Sequence, residues 1–223
     1  MPPNAQPSRL SDEEVELLFR RLAERYPHTK PPSAKRPTNP FRSCVSCMLS
    51  AQSLNANTAK ATNALFALAR TPRTILALSD EAIIDAIRPA GLYNNKLRSL
   101  RKFCTALIED HDGKVPSTRA ELMALPGSGR KCADIVLRFA FHTPVCAVDT
   151  HVHRAANRVG LAYGKTEMKT AEMLEPRIPD WAAWDAHVWL VTWGAEVCSS
   201  RAPKCSACLA SDMCIALKAG RVA

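Results

Sequence analysis

Apolar residues along the chain recur three and four positions apart, and no stretch alternates with the two-residue period of a half-buried strand. Ser11-Asp12-Glu13-Glu14 has the form of a capping box, and Val15, Leu18, Phe19 and Leu22 follow at helical spacing, so a helix burying one face is expected until Pro27 stops it. Pro31, Pro32, Pro37 and Pro40 forbid regular helix between 28 and 40 and predict a linker. The pattern turns helical again from Phe41 to Ala69, and Asn94-Asn95 and the segment Asp110 to Pro116 punctuate further helices around 80–88 and 95–110. Thr118 with Glu121 caps a short helix that ends at Pro126, Gly127-Ser128-Gly129 leads into another from Arg130, and further helices are expected near 150–159, 167–175 and 183–197. In the helix from Arg130, the residues Cys132, Ile135, Val136 and Phe139 form the expected buried stripe, which turns Lys131 and Asp134 outward. The fold class is all-α.

With 223 residues the chain can bury one large core or two small ones, and 47% hydrophobic with 23% charged residues is ordinary for a globular protein. The polar, proline-rich start, taken as residues 1–11, is expected to be a disordered tail. No apolar run approaches the roughly 18 residues of a spanning helix. Met1 to Arg9 lacks both the apolar core of a signal peptide and the arginine-rich pattern of a transit peptide, so no membrane is expected and the cytoplasm, near the nucleoid, is the expected location. The formal net charge of +9 and pI near 9.3 favour a polyanionic partner such as nucleic acid, but solvated lysine faces give the same balance.

Spacing is more informative than charge. Nine cysteines, an odd number, argue against a complete disulfide framework. Cys198, Cys205, Cys208 and Cys214 form C-x6-C-x2-C-x5-C, four thiols within seventeen residues around Pro203. Thiolates so crowded need a cationic centre among them. Structural zinc usually takes two C-x2-C pairs, and this segment offers one, whereas iron–sulfur clusters accept unequal gaps; spacing alone leaves both open. Cys44 and Cys47 repeat the C-x2-C form inside an apolar helical stretch with no second pair nearby, and are expected to be packing residues.

Leu125-Pro126-Gly127-Ser128-Gly129-Arg130-Lys131 offers two glycines for a tight, positive-φ hairpin at a helix start, where backbone N–H groups and the helix dipole suit a phosphate. Such a hairpin holds DNA without reading its sequence, although an ordinary helical corner has the same composition. Lys131 opposes the dipole of the helix it opens. The same placement suits a nucleophile, because an amine attacks only when neutral, and positive potential with desolvation favours that state. Eighteen residues on, Asp149 in Val148-Asp149-Thr150-His151 can cap the next helix and can also stabilise a sugar cation or move a proton opposite Lys131.

Together with Met48-Leu49-Ser50-Ala51-Gln52, Gly91-Leu92-Tyr93-Asn94 and the four C-terminal cysteines, these segments resemble the endonuclease III family of helix-hairpin-helix DNA glycosylases over about residues 12 to 216, in family order and with the family's Lys-to-Asp and Cys-to-Cys gaps. The resemblance implies a [4Fe–4S] cluster on Cys198, Cys205, Cys208 and Cys214. It implies two helical domains flanking a DNA-binding cleft: residues 33–143 as a six-helix domain with the helix-hairpin-helix, and residues 12–32 with 144–223 as the cluster domain. Lys131 would attack C1′ of an oxidised pyrimidine nucleotide or an abasic site in duplex DNA, hold the sugar as a Schiff base and cut the strand on its 3′ side by β-elimination, with Asp149 assisting. Gln52 and Leu92 match the family's plug and wedge. Gly127, Gly129, Arg130, His151, Arg201 and Lys204 are the further DNA contacts so implied, and the protein is expected to act as a monomer. Asn55 stands where the family commonly has aspartate, and Ala202 where lysine is frequent. Two rivals share much of this pattern. An adenine-mismatch glycosylase normally lacks the lysine and has an extra C-terminal domain, so Lys131 and the end of the sequence at Ala223 speak against it. A non-catalytic damage-binding module would have no use for the Lys131 and Asp149 pair.

Overall fold

The structure is a computed structural model of the chain and describes residues 9–28 and 38–222. All regular structure among them is helical. Helix α1 (Asp12–Arg25) starts at Ser11, whose Oγ accepts from the Glu14 N–H while the Glu14 carboxylate accepts from the Ser11 N–H at 2.7 Å, the reciprocal cap expected from the sequence. It buries Val15, Leu18, Phe19 and Leu22. The start of the chain is ordered sooner than expected. Leu10 is 3% exposed, its N–H donates to Gly160 O at 3.0 Å and its carbonyl accepts from Arg177, so the tail assigned to residues 1–11 does not extend through Leu10. Residues 1–8 of that tail and 29–37 of the proline linker lie outside the described residues.

The stretch from Phe41 to Ala69, expected as continuous helical pattern, is two helices, α2 (Pro40–Ser50) and α3 (Asn55–Leu68). No glycine or proline marks the break. The chain turns at Ser50 to Ser53, where the Ser53 N–H donates to Ser50 O at 3.1 Å and Gln52 takes the left-handed conformation. Helices α4 (Pro72–Leu76), α5 (Asp80–Ile87), α6 (Tyr93–His111), α7 (Arg119–Ala124) and α8 (Arg130–Ala140) follow, then α9 (Thr150–Val159), α10 (Glu167–Leu174), α11 (Ala186–Glu196) and α12 (Ile215–Lys218).

The chain forms two compact units, Lys35–Thr143 and Met1–Ala34 with Pro144–Ala223. In the second, Leu18, Phe19 and Leu22 of α1 join Val152 and Ala156 of α9 and Trp189 and Trp193 of α11 in one core. Each Leu or Phe sealed from water in this way contributes about 1.5–3 kcal/mol. A Cβ on Gly194 would stand 2.6 Å from His151 O, so glycine there lets the backbones of α9 and α11 touch. In the first unit Phe41 of α2 stacks on Phe103 of α6, ring centres 6.2 Å apart, among buried Val45, Leu65, Ile83 and Leu100.

Helix α8 is rotated from the expected orientation. Its buried residues are Cys132, Ala133, Asp134, Val136, Leu137, Arg138 and Ala140, while Phe139, assigned to the buried stripe, is 40% exposed. Asp134, expected to face outward, is fully buried: Arg119 Nε donates to Oδ1 at 2.7 Å and Arg130 Nε to Oδ2 at 3.2 Å. A carboxylate held by two guanidinium groups can enter the core, which a count of apolar positions does not anticipate. Asp134→Ala removes the buried carboxylate that Arg119 and Arg130 both reach, and denaturant unfolding is expected to show a loss of about 1.5–3 kcal/mol, the scale of hydrogen bonds to a charged group. A loss below about 1 kcal/mol would mean that the bridge does not set the orientation of α8.

Candidate functional site

Lys131 is exposed in the first turn of α8 and lines an open cavity with Ile135 and Phe139, the residues four and eight positions on. Ser46, Cys47 and Ser50 of α2 and Asn55 and Thr58 of α3 form other walls. The rotation that buries Asp134 is what turns the row 131, 135, 139 toward this space.

The hairpin before Lys131 uses its glycines differently. Gly127 has φ 79°, but Gly129 has φ −81° and ψ 177°, an extended conformation open to any residue, which corrects the expectation of positive φ at both. A Cβ at Gly129 would meet nothing within 4 Å, so its missing side chain leaves an open approach to the chain. Gly129 is the N-cap of α8 and offers no side-chain cap, which leaves first-turn N–H groups available to an anion. The Arg130 side chain is directed inward to Asp134 and only 14% exposed.

Cys47 departs from the packing role expected for Cys44 and Cys47. Cys44 fills that role, fully buried, with burial pushing its thiol up to about 12. Cys47 instead faces the cavity, where a hydrogen bond with the Cys132 thiol and the charge of Lys131 draw it below the usual thiol range, and Cys132 is pushed up in turn. Only the packing of α2 against α8 brings these thiols together.

Asp149 caps α9, its Oδ1 accepting from the His151 and Val152 N–H groups at 2.9 Å each, and it remains half-exposed. The capping role weighed for it is therefore real, and the cap holds the carboxylate in one place. His151 is half-buried, with its Nδ1 3.2 Å from an Arg154 guanidinium nitrogen.

Cys198, Cys205, Cys208 and Cys214 line a single cavity together with Trp193, Arg158 and Lys204. Two arginines of α9 that the sequence did not single out hold its rim. Arg154 donates to Cys198 O at 2.7 Å and Gly194 O at 2.6 Å, and Arg158 donates to Ser199 O at 2.7 Å and lies 3.7 Å from Cys198 Sγ. Their spacing of four along the helix was visible, but nothing in it named the loop they reach. The Trp193 indole N–H is buried without an oxygen partner and faces the Cys208 sulfur. Arg201 and Lys204 are exposed on the loop between the first two cysteines.

Gln52 and Leu92 are both exposed and both left-handed, at φ 52° and 47°. That conformation costs a non-glycine residue about 1–3 kcal/mol and persists only where its surroundings impose it. Leu92 is 51% exposed, and Leu54, two residues beyond Gln52 and not anticipated, is 74% exposed.

Residues 45–180 match the family described as HhH-GPD superfamily base excision DNA repair protein. The chain is 40% identical to Endonuclease III of Haemophilus influenzae over 200 residues, 90% of this chain and 93% of that one. It is likewise 40% identical to Endonuclease III of Escherichia coli K12 over 197 residues, 88% and 92% of the two chains. Among solved structures it is similar to a trapped Endonuclease III–DNA covalent intermediate, with a TM-score of 0.84 and 33% identity over 95% of this chain and 99% of that one. A thermostable thymine-DNA glycosylase, 21% identical with a TM-score of 0.78 over 93% of this chain and 98% of that one, shares the fold.

The cavity beside Lys131 makes a chemical distinction among the cysteines. Iodoacetamide near pH 8 should alkylate Cys47 at least about tenfold faster than Cys44 or Cys104, as peptide mass spectrometry can follow, because the thiolate is the reacting form and burial withholds it from the other two. Equal rates at the three would remove the influence of Lys131 on Cys47.

Proposed function

Because the chain belongs to the endonuclease III family of HhH-GPD superfamily base excision DNA repair proteins, we propose that it removes oxidised pyrimidines from duplex DNA and cleaves the strand at the resulting, or a pre-existing, abasic site. The observation that carries this reading is Lys131: an exposed amine at the start of α8, directly after a hairpin whose open backbone suits a phosphate.

Lys131 Nζ bonds to C1′ as the glycosidic bond to the damaged base breaks, and loss of the amine proton and opening of the sugar leave a Schiff base. Removal of a C2′ proton then expels the 3′ phosphate by β-elimination. Asp149, fixed by its cap to α9, is assigned the charge that steadies the developing sugar cation and a part in the proton transfers. Extruding a nucleotide costs a few kcal/mol of stacking and pairing, so the space it leaves must be filled. Gln52 and Leu92 are assigned to that space, since each is exposed and held in one backbone conformation. Gly127 and Gly129 carry the phosphate-holding turn, Arg130 contributes its backbone, and His151, Arg201 and Lys204 are assigned to the DNA backbone.

The cysteine cavity is assigned a [4Fe–4S] cluster. Four cysteines lining one cavity, the Trp193 N–H buried beside Cys208 and Arg158 beside Cys198 suit a sulfur-rich centre of net charge about −2. When bound, the cluster supplies a structural and electrostatic centre for the loop that carries Arg201 and Lys204. No helix among the described residues is long and apolar enough to cross a membrane. The reading includes a cytoplasmic, nucleoid-associated monomer.

Borohydride should trap a covalent adduct between the intact protein and duplex DNA containing an abasic site, and Lys131→Gln should abolish the adduct while keeping most of the binding. Trapping at full yield in that variant would move the nucleophile to another residue, and no adduct from the intact protein would leave a binding module. Acid treatment of the purified protein should release iron with loss of a brown colour; stoichiometric zinc instead of iron would overturn the cluster assignment.

A further inference from the structure

Lys96, in the first turn of α6, is 7% exposed, and the partners recorded for its side chain are two main-chain carbonyls. Its Nζ donates to Leu49 O and to Ala90 O, each at 2.8 Å. Leu49 lies in the last turn of α2, whose final carbonyls have no partner within the helix and whose last turn contains no basic residue. A cation at that end complements the helix dipole, and Lys96 supplies from α6 the charge that α2 lacks. Ala90 ends the 3-10 turn Arg88–Ala90. The backbone N–H of Lys96 also donates to Leu92 O at 3.0 Å, so one residue grips the 90–92 turn on both sides.

The two carbonyls stand just before the two exposed left-handed residues. Gln52 follows Leu49 by three positions, and Leu92 follows Ala90 by two. Gln52 and Leu92 are also two of the four left-handed non-glycine residues among the described residues. Burial pulls the Lys96 ammonium below the usual lysine range, and the two carbonyls offset that desolvation.

We propose that Lys96 is a positioning residue whose ammonium ties the segment carrying Gln52 to the segment carrying Leu92, and so sets the spacing of the two side chains that fill the gap left by an extruded nucleotide. The inference rests on the assignment of Gln52 and Leu92 given above. Lys96 touches no substrate; it acts through the backbones of two turns that share no covalent link closer than the length of α3 to α5.

The test uses full-length protein carrying its cluster and a duplex with a tetrahydrofuran abasic analogue opposite 2-aminopurine, whose fluorescence reports the unstacking of the opposite base. Lys96→Met preserves the bulk of the side chain and removes its donors. It should lower the preference for this duplex over the undamaged one about tenfold, the scale of lost hydrogen bonds to a charged group, and suppress the fluorescence change at saturating protein. Borohydride trapping on a single-stranded abasic oligonucleotide, which has no gap to fill, should stay within about twofold of the original protein, a result that general unfolding could not give. Lys96→Arg, which keeps charge and donors, should recover most of the fluorescence change. If Lys96→Met fails to fold, amide hydrogen exchange in Lys96→Gln, which is polar but shorter and uncharged, decides: exchange raised together at 50–54 and 90–94 supports the tie, and unchanged exchange in both overturns it.

Gln52→Ala and Leu92→Ala separate this proposal from the one beneath it. Loss of preference in both, with Lys96→Met unaffected, overturns the tie and leaves their assignment standing. Full preference retained in both overturns that assignment and the tie with it.

Discussion

A carboxylate buried between two guanidinium groups goes with the orientation of the helix that carries Lys131. With Asp134 inside and held by Arg119 and Arg130, the face of α8 containing Cys132, Val136 and Leu137 is sealed, and Lys131, Ile135 and Phe139 line an open cavity. Rotating the helix to bury Phe139 would expose Asp134 and part it from the two guanidinium groups that hold it. The bridge also turns the Arg130 side chain away from solvent, so the surface around Lys131 is shaped by what the core requires.

The same economy of charge appears at the ends of other helices. Asp149 satisfies two N–H groups at the start of α9 while keeping an exposed edge, so the assignment of capping and of chemistry to one carboxylate involves no conflict. At the end of α2, a cation from α6 occupies the place where α2 has no basic residue. In both cases unsatisfied backbone groups fix a side chain more tightly than rotamer preference could, because leaving them unpaired in a buried place is costly.

The cysteine loop has little regular structure of its own. Between Cys198 and Cys214 there is one short 3-10 turn, and its approach is held by Arg154 and Arg158 reaching across from α9. The close passage of α9 and α11 at Gly194 brings those arginines within reach. Asp149, at the start of α9, and Cys198, just beyond α11, thus belong to one packed pair of helices, and disturbing either helix is felt at both positions.

The sequence by itself determined the all-α class, the Ser11 capping box, most helix positions and the clustering of four cysteines, because each depends on neighbours within a turn or two of helix. The helix-start position of Lys131 and the capping position of Asp149 also marked those two residues, and resemblance to a family added Gln52 and Leu92 as candidates. Tertiary structure alone decided the rest. The break between α2 and α3 carries no glycine or proline, and the left-handed conformation at Gln52 is one that a non-glycine residue rarely adopts by local preference. Asp134 looked like a surface residue because its partners are Arg119, on another helix, and Arg130, whose inward course depends on that burial. Cys47 looked like packing because Cys132 and Lys131 lie more than eighty residues away along the chain. Lys96 gave no signal, since its acceptors are main-chain carbonyls, which every residue has and which only the folded chain selects.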